Sequence, residues 1–171
     1  MGVVPLQMPR DRAALLAHFS ALDADALRQR FGQTIRPEGV AAYVDSAEAK
    51  AQPSYGIFNS DLDLVAVAQF AASKDGLEVG ISVLSPYRRH GLATALLRRA
   101  VRYARSHRIN ALVVHSRAAN TETLALARRF GMPIVVAGAE ANGRLQLHRL
   151  QASKARKRRS ARRRPRTARS P

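Results

Sequence analysis

The chain has 171 residues and is 46% hydrophobic, which is enough for one globular domain with a sizeable core. It has no cysteine, which excludes disulfides, zinc–thiolate sites and cysteine nucleophiles, and no apolar run approaches the roughly 20 residues of a membrane helix. The net charge of +17 lies mostly at one end, because residues 151–171 hold ten of the 29 basic residues and none of the 12 acidic ones.

The first half of the chain predicts helices followed by a strand pair. Apolar residues recur every three or four positions from Asp11 to Leu22, which is helical spacing. Two short apolar segments joined by the polar residues 59–63 are typical of a hairpin. The predicted elements are a strand at Val3–Gln7, helices at Asp11–Leu22, at Ala24–Phe31 and from Pro37, and strands at Ser54–Phe58 and Leu64–Ala72.

The second half of the chain alternates strands and helices. The predicted strands are Leu77–Leu84, Ala111–His115, Ile134–Ala137 and Leu145–Leu150, and the predicted helices are Gly91 to about His107 and Thr121–Phe130. The dipeptide Asn142-Gly143 is a strong turn signal, so we expect it to join the last two strands. This order predicts one mixed α/β domain over residues 1–150 rather than a doubly wound Rossmann sheet.

The run from Arg88 to Leu97 predicts an anion site. It follows a predicted strand and opens a predicted helix, whose first N–H groups have no partner within the helix and carry partial positive charge. Gly91 lets the backbone approach a phosphate closely. We therefore expect a phosphorylated ligand between the strand and the helix.

This run and a second segment resemble the GCN5-related N-acetyltransferase (GNAT) family. Residues 88–93 (RRHGLA) match its acetyl-CoA signature Gln/Arg-x-x-Gly-x-Gly/Ala, and residues 120–132 (NTETLALARRFGM) look like its second CoA element. The resemblance is clear over about residues 64–150. It implies an α/β fold with a central, mostly antiparallel sheet that contains a splayed parallel pair and is flanked by helices. It also implies acetyl-CoA as co-substrate, an amine acceptor and no metal.

The resemblance implies where the cofactor would bind. The backbone of the signature loop would hold the CoA pyrophosphate. The strand would splay from its neighbour near Ser82 to Leu84, and the N–H of Val83 or Leu84 would polarise the thioester carbonyl. Asn120 would reach the pantetheine arm. The implied cofactor-binding residues are Val83, Leu84, Arg88, Arg89, His90, Gly91, Leu92, Ala93, Thr94 and Asn120.

Two residues are candidates for the base that deprotonates the amine. Glu78 stands ten residues before Arg88, at the offset of the catalytic glutamate in bacterial protein-lysine acetyltransferases of this family, which residues 11–31 also resemble. His115 stands where ribosomal-protein N-terminal acetyltransferases carry a glutamate. A solvated strand-edge carboxylate and a structural histidine are the alternatives to these roles. The family's usual tyrosine acid is absent, because Ala127 occupies its position.

The basic tail, residues 151–171, has no apolar residue larger than alanine, so we expect it to be disordered and to bind nucleic acid or another polyanion without sequence specificity. The leading hypothesis is an acetyl-CoA-dependent N-acetyltransferase that acts on a primary amine, with a protein lysine as one candidate. The alternative is a weak or inactive CoA-binding module that binds polyanions through the tail. Because the N-terminal residues lack a signal-peptide pattern, we expect a cytoplasmic protein without membrane contact.

Overall fold

The computed structural model describes residues 2–147. The predicted basic tail and the end of the predicted last strand lie outside these residues. The helices are α1 (Arg12–Ser20), α2 (Ala24–Phe31), α3 (Pro37–Ala49), α4 (Leu92–Ser106) and α5 (Thr121–Arg129), with a 3₁₀ turn at Ser85–Tyr87. The strands are β1 (Val4–Pro5), β2 (Ser54–Phe58), β3 (Leu64–Ser73), β4 (Gly76–Val83), β5 (Ala111–Arg117), β6 (Ile134–Ala137) and β7 (Glu140–Gln146). None of these helices has the length and apolar character needed to cross a membrane.

The strands form one mostly antiparallel sheet, in the order β1-β2-β3-β4-β5-β7-β6. The β4–β5 pair is parallel, and its ladder joins only Leu77 to Leu112 and Glu78 to Val113. A helical crossover, α4, connects these two strands, as a parallel pair requires. The predicted fold class, a mixed sheet with one splayed parallel pair and flanking helices, is confirmed.

Helices cover the two faces of the sheet in different places. The alternation of β4 sends Leu77 and Val79 to the face that packs on α4, whose buried stripe includes Leu96, Leu97 and Ala100. The other face of β3 packs beneath α1 and α3, around a second cluster that contains Phe19, and α2 contacts β4. Glu78 therefore lies on the sheet face opposite to α4.

The predicted turn at Asn142-Gly143 is wrong. Both residues lie inside β7, where Asn142 pairs with His115 of β5, and the β6–β7 turn instead uses Gly138, at φ +61°. A Cβ on Gly143 would come within 3.0 Å of the Ile134 Cδ1 atom and 3.5 Å of the Ala127 Cβ atom. The absence of a side chain at Gly143 therefore allows α5 to pack closely on the strand, and this glycine does not form a left-handed turn.

Candidate functional site

A cleft opens where the two parallel strands part. The β4–β5 ladder ends at Glu78, while β4 stays paired with β3 as far as Val83. The separation thus begins immediately after Glu78, several residues earlier than the expected position near Ser82 to Leu84. Because backbone groups alternate in direction along an antiparallel strand, those of Ile81 and Val83 point to the β5 side, where the ladder supplies no partner.

The backbone N–H groups of Val83 and Leu84, which are predicted to polarise the thioester carbonyl, differ in their hydrogen-bond partners. The Leu84 N–H donates to the Val65 carbonyl oxygen at 3.0 Å, so the sheet uses it. The Val83 carbonyl oxygen points the other way, since it accepts from Arg88 Nε at 3.3 Å. The arrangement leaves the Val83 N–H on the cleft side of the strand.

The start of α4 follows the end of β4, and this helix packs on the sheet face opposite to Glu78. Gly91 caps the helix at φ +78°, and Arg89 also has a positive φ of +67°. No side chain caps the helix, and its first bond back to the loop is from the Ala95 N–H to the Gly91 carbonyl. No atom lies within 4 Å of the position that a Cβ on Gly91 would take.

Other residues of the predicted loop are used structurally or lie open. Arg88 Nη2 contacts Asp23 Oδ2 at 3.2 Å, and Asp23 in turn caps α2 by accepting from the Ala26 N–H at 2.7 Å. The Ala26 N–H, and then Arg88, hold the pKa of Asp23 below its usual range. Arg89 and His90 are exposed. Arg88 thus ties α2 to the end of β4.

Glu78 and His115, which the sequence left as alternatives, lie together. The Glu78 Oε1 and His115 Nε2 atoms are 3.6 Å apart, and the two side chains are 39% and 56% exposed. His115 Nδ1 is 2.6 Å from Asn142 Oδ1. With that oxygen accepting, Nδ1 carries the ring proton, and Nε2 faces the Glu78 carboxylate across a gap slightly longer than a hydrogen bond.

A cavity of about 600 Å³ surrounds this pair on the face opposite to α4. Its lining includes Arg30, Tyr43, Gln69, Glu78, His115 and Asn142. Arg30 is not among the site residues predicted from the sequence. No three His, Asp or Glu side chains of residues 2–147 come close enough to hold a metal ion.

His18 is a further residue that sequence reasoning missed. It is 2% exposed on α1, and its Nδ1 and Nε2 atoms lie 2.8 Å from the Leu64 carbonyl oxygen and the Ser82 Oγ atom. A carbonyl oxygen only accepts, so Nδ1–H donates to Leu64 and Nε2 accepts from Ser82. Burial lowers the pKa of His18 to about 4.

The second segment of the predicted cofactor site mainly organises α5. Asn120 is partly exposed and caps this helix, since its Oδ1 accepts from the Thr123 N–H at 3.0 Å. Ala127, where the family pattern has a tyrosine, is 2% exposed and packs near Met132 and Gly143. The position faces the core, so a tyrosine there would have to displace these neighbours.

Comparisons with known proteins bear on this arrangement. The model of the acetyltransferase (GNAT) family matches residues 22–132. The fold is similar to that of the GNAT domain of S. lividans PAT, with a TM-score of 0.73, 17% identity and coverage of 85% of this chain and 89% of that one. It is also similar to a ribosomal-protein-alanine N-acetyltransferase from Brucella melitensis (TM-score 0.67, 17% identity, coverage 86% and 100%). The YncA protein of Salmonella typhimurium, solved with its cofactor acetyl-CoA, is similar too (TM-score 0.67, 16% identity, coverage 86% and 94%). No curated protein matches the chain in sequence.

Proposed function

Since the chain belongs to the GNAT acetyltransferase family, we propose that it transfers the acetyl group of acetyl-CoA to a primary amine in the cleft between β4 and β5. The observation that carries the proposal is the parting of this parallel pair immediately after Glu78. An uncapped helix start lies on one side of the cleft, and the Glu78–His115 pair lies on the other. A cofactor and an amine can therefore approach the same stretch of β4 from opposite sides.

The helix start supplies the cofactor half of the site. The N–H groups from Arg89 to Thr94 would bind the CoA pyrophosphate, since no side chain caps the helix start and the helix dipole favours an anion there. The open space beside Gly91 leaves room for the phosphates. Exposed Arg89 and His90 add positive charge nearby, whereas Arg88 acts by holding the loop against α2.

The cleft face of β4 supplies the reaction half. The amine nitrogen attacks the thioester carbonyl carbon, and the Val83 N–H donates to the oxygen that becomes negative. The amine proton passes to the Glu78–His115 pair, the C–S bond breaks, and CoA leaves as the thiolate. The core position of Ala127 supports a mechanism in which the thiolate leaves without a tyrosine acid.

Glu78 is the stronger candidate for the base, because its offset from Arg88 matches the glutamate of the bacterial protein-lysine acetyltransferases that the chain resembles. His115 then acts on Glu78 through the 3.6 Å contact and is itself oriented by Asn142. A protein lysine is the candidate acceptor on the same resemblance.

A binding experiment tests the cofactor half. Gly91→Glu places a carboxylate where the pyrophosphate would lie, so we expect acetyl-CoA affinity to fall at least a hundredfold by calorimetry. Gly131→Glu is the matched control, because Gly131 has a similar φ of +73° and equally open surroundings but lies after α5. Equal affinity of the two variants would contradict the placement of the cofactor.

A second candidate function is a CoA-binding module with little or no turnover. The observation that favours it is the buried Ala127, which leaves the site without the usual acid. This candidate predicts acetyl-CoA binding with no thiol release on any amine, and polyanion binding that disappears when residues 151–171 are deleted.

A further inference from the structure

The guanidinium of Arg30 lies at a fixed position in the cavity that surrounds Glu78 and His115. It lies directly over Gly80 of β4, since a Cβ on that glycine would come within 2.6 Å of the Arg30 Cζ atom. Three aromatic rings surround it, with Cζ-to-centroid distances of 5.7, 5.0 and 5.4 Å to Phe19, Phe31 and Tyr43. The absence of a side chain at Gly80 therefore makes room for the cation.

Neutral oxygens fix one edge of this guanidinium. Arg30 Nη2 donates to the Tyr43 hydroxyl at 2.7 Å and to Gln69 Oε1 at 2.9 Å, and the Tyr43 hydroxyl donates to the same amide oxygen at 2.8 Å. The guanidinium has five N–H donors. Within residues 2–147, its Nε and Nη1 groups have no hydrogen-bond acceptor, although Arg30 lines the cavity.

Arg30 has no acidic partner within 4 Å among the described residues, as is also true of the part-buried Arg99, which packs on Tyr55. Arg10, Arg12, Arg28, Arg88 and Arg144 each contact a carboxylate. A partly buried cation held by neutral groups lacks the anion that normally offsets the cost of its burial. The free Nε and Nη1 groups favour a carboxylate that arrives from the cavity, since hydrogen bonds from a guanidinium to a carboxylate are charge-assisted.

The cation has a defined distance from the proposed base. Gly80 and Glu78 share one face of β4, with their Cα atoms ~7 Å apart, so Arg30, which lies over Gly80, is next to Glu78 on that face. One end of the cavity floor is therefore anionic and attracts an ammonium, while the other is cationic. Such a floor is complementary to a molecule that carries both groups.

We propose that the acceptor is an amine that also carries a carboxylate, bound with its carboxylate at Arg30 and its amine in the cleft between Glu78 and the Val83 N–H. The proposal rests on the proposed acetyl transfer and specifies its substrate class. The carboxylate has two sources, the α-carboxylate of a free amino acid or an acidic side chain beside a lysine in a polypeptide. Amines without a carboxylate, such as polyamines, are poor acceptors in this account.

Two matched pairs of acceptors test the proposal. Nα-acetyl-lysine and its amide differ by the α-carboxylate, and the blocked dipeptides Lys-Glu and Lys-Gln differ by an acidic side chain. Because a charged hydrogen bond contributes about tenfold to a hundredfold in binding, we expect kcat/KM to favour the carboxylate member of one pair by that factor. A preference in the first pair identifies a free amino acid, and a preference in the second identifies an acidic neighbour.

Arg30→Met removes the charge and keeps an apolar side chain against the aromatic rings. We expect it to abolish the preference while kcat/KM for the carboxylate-free member changes less than threefold. Arg28→Met is the control, because Arg28 lies on the same helix but pairs with Asp25 at the surface. Gly80→Ala is a second variant, whose added Cβ would push the Arg30 guanidinium from its position without removing the charge. We expect it to reduce the preference for the carboxylate-containing acceptor.

The outcomes separate this proposal from the proposed function. Thiol release without a carboxylate preference in either pair, or an Arg30→Met variant that loses activity equally on both members, would overturn the role of Arg30 and leave acetyl transfer standing. If no acceptor is turned over, calorimetry with each pair on the acetyl-CoA-loaded protein replaces the kinetic ratio. Equal affinities there would overturn the proposal too.

Discussion

The buried histidine on α1 makes folding stability depend on pH in a defined window. The pKa of His18 falls from its usual 6.5 to about 4 in the folded chain, because burial disfavours the charged ring and the nearby Arg30 charge adds to this. Between pH 6.5 and pH 4, His18 is therefore mostly protonated in the unfolded chain and mostly neutral in the folded chain. Stability is complete above pH 6.5 and declines as the pH falls towards 4.

The size of the decline follows from the two pKa values. With 6.5 in the unfolded state and about 4 in the folded state, His18 alone lowers the free energy of unfolding by about 2.5 kcal/mol between pH 8 and pH 4.5. The depressed carboxylate pKa values of Asp11 and Asp23 act below pH 3.8, outside this window. The interval from pH 8 to pH 4.5 therefore isolates the histidine.

Urea unfolding at both pH values, followed by circular dichroism, measures this decline. His18→Asn keeps an N–H donor for the Leu64 carbonyl oxygen but cannot titrate, so we expect its free energy of unfolding to fall by about 2.5 kcal/mol less than that of the wild type. His107→Asn, at the exposed end of α4, should retain the wild-type decline. Equal declines for the wild type and His18→Asn would refute the reasoning.

Two further predictions concern the core and the tail. Leu96→Ala removes a fully buried side chain between α4 and the sheet, so urea unfolding should show a loss of about 3 kcal/mol, whereas Val136→Ala at a 56% exposed position should change stability by less than about 0.5 kcal/mol. Similar losses for both would contradict the assigned core. Deletion of residues 151–171 removes ten positive charges, so the shortened chain should elute from heparin at much lower salt. Unchanged elution would place polyanion binding elsewhere.

Local patterns in the sequence predicted most of the fold. Alternating and helical spacing located the helices and most strands of residues 2–147, but β7 begins at Glu140 and not at the predicted Leu145. The resemblance in residues 88–93 and 120–132 indicated the mixed sheet with a parallel pair. The prediction of a turn at Asn142-Gly143 was wrong because glycine is equally suited to a left-handed turn and to a close packing contact. The contact of Gly143 with Ile134 and Ala127 exists only once α5 lies on the sheet.

Long-range contacts within the site could not be predicted. Glu78 and His115 are 37 positions apart and meet only because β4 and β5 pair in the register Glu78 to Val113. Arg30 looked like one more polar residue of a short helix, since nothing in the local sequence reveals that Gly80 leaves space beneath it. His18 likewise gained its buried carbonyl partner from a strand 46 residues away.

Turnover of acetyl-CoA is the most direct test of the account. Thiol release, with product mass determined, should be measured for the full chain with amino acids, lysine peptides and polyamines as acceptors. We expect an N-acetylated product and a Glu78→Gln variant that binds acetyl-CoA normally but has kcat reduced about a hundredfold or more. Acetyl-CoA binding without product on any amine, or full activity of Glu78→Gln, would contradict it.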